Sequence, residues 1–283
     1  GRREEMGILN QLDTPNFKTS KSDKQIIEYI RNNAEKVIYM SISEAAKETN
    51  TGEATVTRFA KKMGFSGFQD FKVTLAQEIS LKNSNSIINN EISNNEDVLE
   101  TANKLLRNNI NVLERTVNKL NTNDIYECAD LIKNCKKAYF MGVGYSGIVA
   151  QDSNYKFMRI GINSMYYQDT HTMIMMSALA NEGEVVLAIS HSGETEEIIK
   201  SVKIAKENGA KIIAITENEN STLARVSDIN LNYVSSETLL ESGAVSSKIA
   251  QIFIVDLIYT QVVKEMQIDA VSRKIKTTEA IYK

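Results

Sequence analysis

The chain has 283 residues, 42% hydrophobic and 24% charged, with a formal net charge of −3. That length suits about two domains, and that balance belongs to a folded globular protein, not to a disordered, collagenous or polycationic chain. No apolar run approaches the ~18 residues of a membrane span. No signal-peptide apolar core is expected at the front, and two cysteines with two histidines give no basis for a disulfide framework, a metal cluster or another cofactor.

Charge divides unevenly along the chain. Residues 1–82 carry a net of +2 and the remainder a net of −5, which permits nucleic-acid binding at the front without requiring it. Residues 22–82 read as all-helical. Ile26, Ile27, Tyr29 and Ile30 make the apolar face of a first helix. Ser41, with Glu44 three residues on, is a capping box for a short second helix. Thr49 to Gly52 make a turn, and Glu53 to Met63 a third helix with Val56, Phe59, Ala60 and Met63 inward. Gly64 ends it, and a fourth helix spans Phe68 to Ile79. Two short helices around a small-residue turn, the second polar and basic outward, describe a helix-turn-helix. Thr55 and Arg58 lie one turn apart and suit base edges, while Lys61 and Lys62 suit phosphates. The competing reading is a helical bundle with a solvated face.

Residues 83–97 are rich in Asn and Ser and read as a flexible linker between domains 7–82 and 98–283. A long helix follows, with Leu99, Ala102, Leu106, Ile110, Leu113, Val117 and Leu120 at spacings of 3 or 4. This stripe is expected to pack in the core of the second domain, or else on a partner subunit. Cys128 and Cys135 lie seven apart on one helical stretch, too far for a disulfide within a helix. They read as packing residues in a reducing cytoplasm.

From here strands alternate with helices, the pattern of a parallel α/β sheet with right-handed crossovers. The strands are Ala138–Met141, 163–167, Val185–Ile189, 212–216 and 229–234. Two turns stand out. Gly142-Val143-Gly144-Tyr145-Ser146-Gly147 follows the first strand, and Ser190-His191-Ser192-Gly193-Glu194-Thr195 follows the third. Each opens a helix, where unpaired N–H groups and positive dipole favour an anion. Ordinary N-capping by Ser192 or Thr195 is the competing account. The first turn satisfies Gly-x-Gly-x-x-Gly, but the ribose-binding acid expected about 20 residues on has only Asp169 as a rough candidate, so a small phosphorylated ligand fits better than a dinucleotide. Asp169-Thr170-His171 end the second strand, where open α/β sheets bind ligands. His171 is either a ligand donor or a helix cap. Lys248, early in the last long apolar helix from about Gly243 to Lys264, either reaches the ligand or snorkels to solvent.

The two turns, with Glu241-Ser242-Gly243-Ala244 before that helix, resemble the sugar isomerase (SIS) domain, a phosphosugar-binding module. The resemblance implies a five-stranded parallel sheet between helical layers, with Ser146, Ser190, Ser192 and Thr195, beside Gly144, holding a sugar phosphate. The segments Ser41 to Ala46, Glu53 to Phe59 and Met63 to Lys72 resemble the N-terminal domain of the RpiR/MurR family of bacterial transcriptional regulators, which joins such a helix-turn-helix to an SIS domain in this order. The family usually has Val-Ser where this chain has Thr51-Gly52, and Thr51 is the hydroxyl placed to substitute toward a DNA phosphate. The resemblance implies a cytoplasmic regulator, a repressor of a sugar or amino-sugar operon. Its operator binding would be modulated by a phosphosugar such as N-acetylmannosamine 6-phosphate. The expected partners are double-stranded DNA and a second copy of the chain, as a dimer or tetramer, with no membrane. The alternative is a phosphosugar isomerase or lyase in which Glu241 serves as base.

Overall fold

A computed structural model describes residues 7–82, 91–93, 95–237 and 246–282. They fall into two compact units, one of residues up to Lys104 together with Glu237, the other of Leu105–Ser236 and 246–282. Residues 83–90 and 94 of the expected linker lie outside the described residues.

The first unit is built of α1 (Ile8–Asp13), α2 (Lys21–Val37), α3 (Ile42–Glu48), α4 (Glu53–Lys62) and α5 (Phe68–Lys82). Two capping boxes start α2 and α3. The Ser20 hydroxyl accepts from the Asp23 N–H, and Ser41 from Glu44, while each acid accepts from the cap's own N–H, so two otherwise orphaned donors are satisfied at each start. Gly64, at φ +97°, turns the chain out of α4, and the Phe65 N–H returns to the Ala60 carbonyl at 3.1 Å. The core centres on Phe59 and Phe71, both fully buried and edge-on at 6.2 Å. Phe17 and Phe65 extend that aromatic chain. Lys72 is buried here and donates to the Met40 carbonyl at 2.7 Å, tying α5 to the bend before α3. Helix α1, at six residues, is too short to display a period in the sequence; it nonetheless buries Ile8 and Leu12.

The second unit holds most of α6 (Val98–Lys119), then α7 (Thr122–Asn134), β1 (Ala138–Met141), α8 (Tyr145–Arg159), β2 (Ser164–Tyr166), α9 (Thr170–Ser177), β3 (Val185–Ile189), α10 (Glu196–Glu207), β4 (Lys211–Thr216), α11 (Thr222–Val226), β5 (Ile229–Asn232), α12 (Ser246–Met266) and α13 (Ile268–Tyr282). The five strands form one parallel sheet in the order β2-β1-β3-β4-β5. Alternate residues of a strand serve opposite faces. Ala138, Phe140, Val185, Leu187, Ile213 and Ile215 join the layer of α7, α8 and α12. Tyr139, Met141, Val186, Ala188, Ile212 and Ala214 join that of α9, α10 and α11. Both faces are therefore covered, which is why these strands read as unbroken apolar runs.

One expectation needs correction. Most of the apolar stripe on α6 is not core: Leu99, Ala102, Leu106, Ile110 and Val117 are exposed, Leu113 and Leu120 are half-buried with Leu120 against the core, and the helix buries Val112 and Thr116. The buried Thr116 hydroxyl accepts from the Val234 N–H at 3.0 Å. Spacing marks a stripe as apolar but does not say which side of the helix meets its own domain. Helices α11 and α13 were also not anticipated, the first for its length and the second because its apolar positions are themselves exposed.

Candidate functional site

Strand order reverses between β1 and β3, with β2 to one side and β4 to the other. Open α/β sheets bind ligands at such a switch point, outside the carboxyl ends of the strands. Both turns singled out in the sequence lie there, because Met141, the last residue of β1, pairs with Ala188, the penultimate residue of β3.

The first turn is dictated by glycine. A side chain at Gly142 would stand 2.4 Å from the Ser146 carbonyl oxygen. Gly144, the residue before α8, holds φ +60° and ψ −132°, a region closed to side-chain-bearing residues, and provides no side-chain cap. α8 thus begins directly above β1, and Ser146, its second residue, is buried.

The second turn is held by its own hydroxyls. Ser190 Oγ accepts from the Gly193 N–H at 3.1 Å and lies 3.0 Å from Thr195 Oγ1. Ser192 Oγ accepts from the Glu194 N–H at 3.1 Å. Neither Ser192 nor Thr195 caps α10, whose start has no side-chain cap bond, so the capping account of this turn does not hold for the helix N–H groups. The first turn of α10 carries Glu196 and Glu197, both exposed, and they balance the dipole there. Gly193 sits at φ +68°, where a Cβ would meet Ser221 at 2.1 Å. Glu194 has a structural task, accepting from the Thr222 N–H at 2.8 Å at the start of α11.

Two residues that the sequence reading did not select join these turns. Gln251 of α12 donates from Nε2 to Ser146 Oγ at 3.2 Å and to Tyr233 Oη at 2.9 Å. Tyr233 Oη in turn lies 2.7 Å from His191 Nδ1. The one local signal was a lone glutamine within an apolar helix run.

The other sequence candidates fall as follows. Lys248, half-buried, places its ammonium 6.0 Å from the ring centroid of Tyr145, the neighbour of Ser146. His171 is exposed near the start of α9. It does not cap that helix: Asp169 does, accepting from the Thr172 N–H at 2.6 Å, and that bond holds the Asp169 carboxyl below its ordinary range. Glu241 lies outside the described residues.

On the helical unit, α3 and α4 are joined by the turn Thr49–Gly52, with Asn50 at φ +52°. Thr51 Oγ1 lies 2.8 Å from Thr49 Oγ1, which itself donates to the Ala45 carbonyl. On the outer face of α4, Arg58 is exposed and donates to Thr55 Oγ1 at 3.3 Å. Lys61 is exposed. Lys62 differs from the expectation of a plain phosphate contact: its ammonium is 2.7 Å from the buried Asp23 carboxylate and 5.7 Å from the Phe17 ring centroid. Burial pushes the Asp23 carboxyl up, but Lys62 and Ser20 outweigh burial and hold it below its ordinary value.

Comparison with known proteins agrees with both units. A helix-turn-helix domain of the rpiR family matches residues 6–82, and the SIS domain matches residues 131–261. An HTH-type transcriptional regulator of Clostridium perfringens is 56% identical over 276 residues, 98% of this chain and 99% of that one. The HTH-type transcriptional regulator HexR of Escherichia coli is 30% identical over 255 residues, covering 90% of this chain and 87% of its own. Among solved structures, the Vibrio vulnificus NanR protein complexed with ManNAc-6P shares the fold with a TM-score of 0.83, at 24% identity and with 97% of each chain covered.

Proposed function

The chain belongs to the RpiR family of helix-turn-helix transcriptional regulators that carry an SIS domain, and from that premise we propose that it is a cytoplasmic repressor of a sugar-catabolic operon whose operator binding responds to a phosphosugar. In this reading the phosphate sits across the two turns, taking hydroxyl donors from Ser146, Ser190, Ser192 and Thr195. Gly144 lets the backbone approach it. His171, Lys248 and Glu241 reach the sugar. Thr55 and Arg58 read base edges, with Thr51, Lys61 and Lys62 toward the DNA backbone. A dimer reads two half-sites.

One observation carries the effector half of this reading. Two helices, α8 and α10, start without side-chain caps at the carboxyl ends of adjacent strands, at the point where strand order reverses. Uncapped N–H groups with convergent hydroxyls favour a phosphate group there. Relatives carry the names of regulators, and NanR's complex with ManNAc-6P puts amino-sugar 6-phosphates on the panel to be tried. No helix among the described residues is long and apolar enough to cross a membrane.

The test is a thermal-shift screen against aldose, ketose and amino-sugar phosphates, each beside its unphosphorylated sugar. A ligand at ~100 times its Kd adds about 2.7 kcal/mol to the folded state. The expected result is a shift with one phosphosugar and none with its free sugar, followed by a change in operator binding when that compound is added. Equal shifts with phosphorylated and free sugar would rule out a phosphate seat.

A further inference from the structure

We propose that Gln251 is a positioning residue of the anion site: it fixes the direction of the Ser146 hydroxyl and braces the first turn to the second through Tyr233. The inference rests on the phosphate seat proposed above and deepens it.

A phosphate dianion offers only acceptors, so a serine helps it only when the serine's own proton is free to point at it. Ser146 is buried, and its bond within the protein is the one it accepts from Gln251 Nε2. Among the described residues its own proton has no acceptor, so it is committed to whatever binds at the turn. The second proton on Nε2 goes to Tyr233 Oη, and Tyr233 reaches His191, inside the Ser190–Thr195 turn, at 2.7 Å. A single amide on α12 therefore touches the start of α8 directly and the turn before α10 through one phenol.

Burial gives the second observation. Gln251 is 2% exposed, both of its amide protons are spent on the site, and among the described residues its Oε1 is buried without a partner. An amide with an orphaned acceptor destabilises a core relative to an apolar side chain of the same shape. A site of this kind retains such a group for what its donors do, at a cost in stability. Packing alone is served better by Ile254, Val255 and Ile258 on the same buried side of α12.

The test is a double-mutant cycle read by affinity for the best phosphosugar of the screen, with inorganic phosphate as the second probe. Gln251→Met is expected to keep the ligand-free melting temperature within a few degrees and to weaken phosphosugar binding about tenfold. In a Ser146→Ala background the same substitution is expected to lose most of its effect on affinity, the remainder being the part that runs through Tyr233. Tyr233→Phe, which removes one oxygen, is the second variant and is expected to weaken both probes even if Gln251→Met does not fold. If wild-type protein responds to phosphosugar and both variants respond equally, the role of Gln251 is overturned while the phosphate seat stands. An effect of Gln251→Met that is undiminished in the Ser146→Ala background also overturns it. If neither probe stabilises wild-type protein, the seat and the brace fall together.

Discussion

At the scale of single residues, the informative positions are those where one atom has no room or one charge has no water. Gly193 is the clearest. Its positive φ and the 2.1 Å approach of Ser221 to a built Cβ mean that Gly193→Ala forces the Ser190–Thr195 turn to move. The expected loss is about 2 kcal/mol in urea denaturation, together with loss of the phosphosugar shift. Asp23 is the second. Its folded carboxyl titrates below the ordinary value, so its stabilising contribution is present above about pH 4 and disappears as pH falls through the lower folded value. Asp23→Asn is therefore expected to be destabilised by about 1–2 kcal/mol at pH 7, the discount reflecting a Lys62 that is 41% exposed. That difference should shrink as pH falls below about 4, as followed by urea midpoints across pH. A constant difference would mean that hydrogen bonding and not charge holds the pair. Cys128 lies at the other extreme: burial pushes its thiol up, and Cys135 is raised to about 11, so both stay protonated and slow to react at neutral pH.

At the scale of elements, the proposed reading makes DNA recognition depend on α4. It presents Arg58 and Lys61 outward while Val56, Phe59 and Ala60 fix it to the core. In the proposed reading Arg58→Ala costs about 1–3 kcal/mol of specific binding and relaxes preference at one base position, whereas Lys61→Ala weakens all sequences alike and lowers the salt slope by about one. Binding titrations at several salt concentrations separate the two. If Arg58→Ala behaves like Lys61→Ala, the arginine contacts backbone only. Lys62→Met serves as a contrast, since loss of its bond to Asp23 should lower stability as well as any DNA affinity.

At the scale of the whole molecule, the exposed stripe of α6 is the surface that a second copy would cover in the proposed dimer. Leu99, Leu106, Ile110 and Val117 recur on one helix side and are all exposed, an arrangement that lone scattered apolar residues do not produce. Ile110→Glu is expected to move the protein toward monomer in sedimentation velocity and to cut operator affinity, because a dimer gains from two half-sites about 34 Å or a multiple apart. An unchanged sedimentation profile would place the interface elsewhere. Linkage adds a reciprocal expectation: whatever factor the phosphosugar imposes on operator affinity, operator DNA must impose on phosphosugar affinity. Titrating the effector with and without DNA checks that equality.

What the sequence by itself determined is local. Apolar runs bounded by glycine and hydroxyl turns announce buried parallel strands. Ser41 with Glu44 announces a helix start, and Gly64 a helix end, because each depends on contacts within a few residues. The turn motifs place Ser146, Ser190 and Thr195 at helix starts for the same reason. Only the tertiary structure decided which turns become neighbours: β2 and α9 separate β1 from β3 in the chain, yet β1 and β3 pair side by side. It also brought Gln251, 105 residues from Ser146, and Tyr233, 42 from His191, into hydrogen-bond contact with the two turns. And it turned the α6 stripe outward, since periodicity specifies an apolar side of a helix and only packing specifies what that side meets.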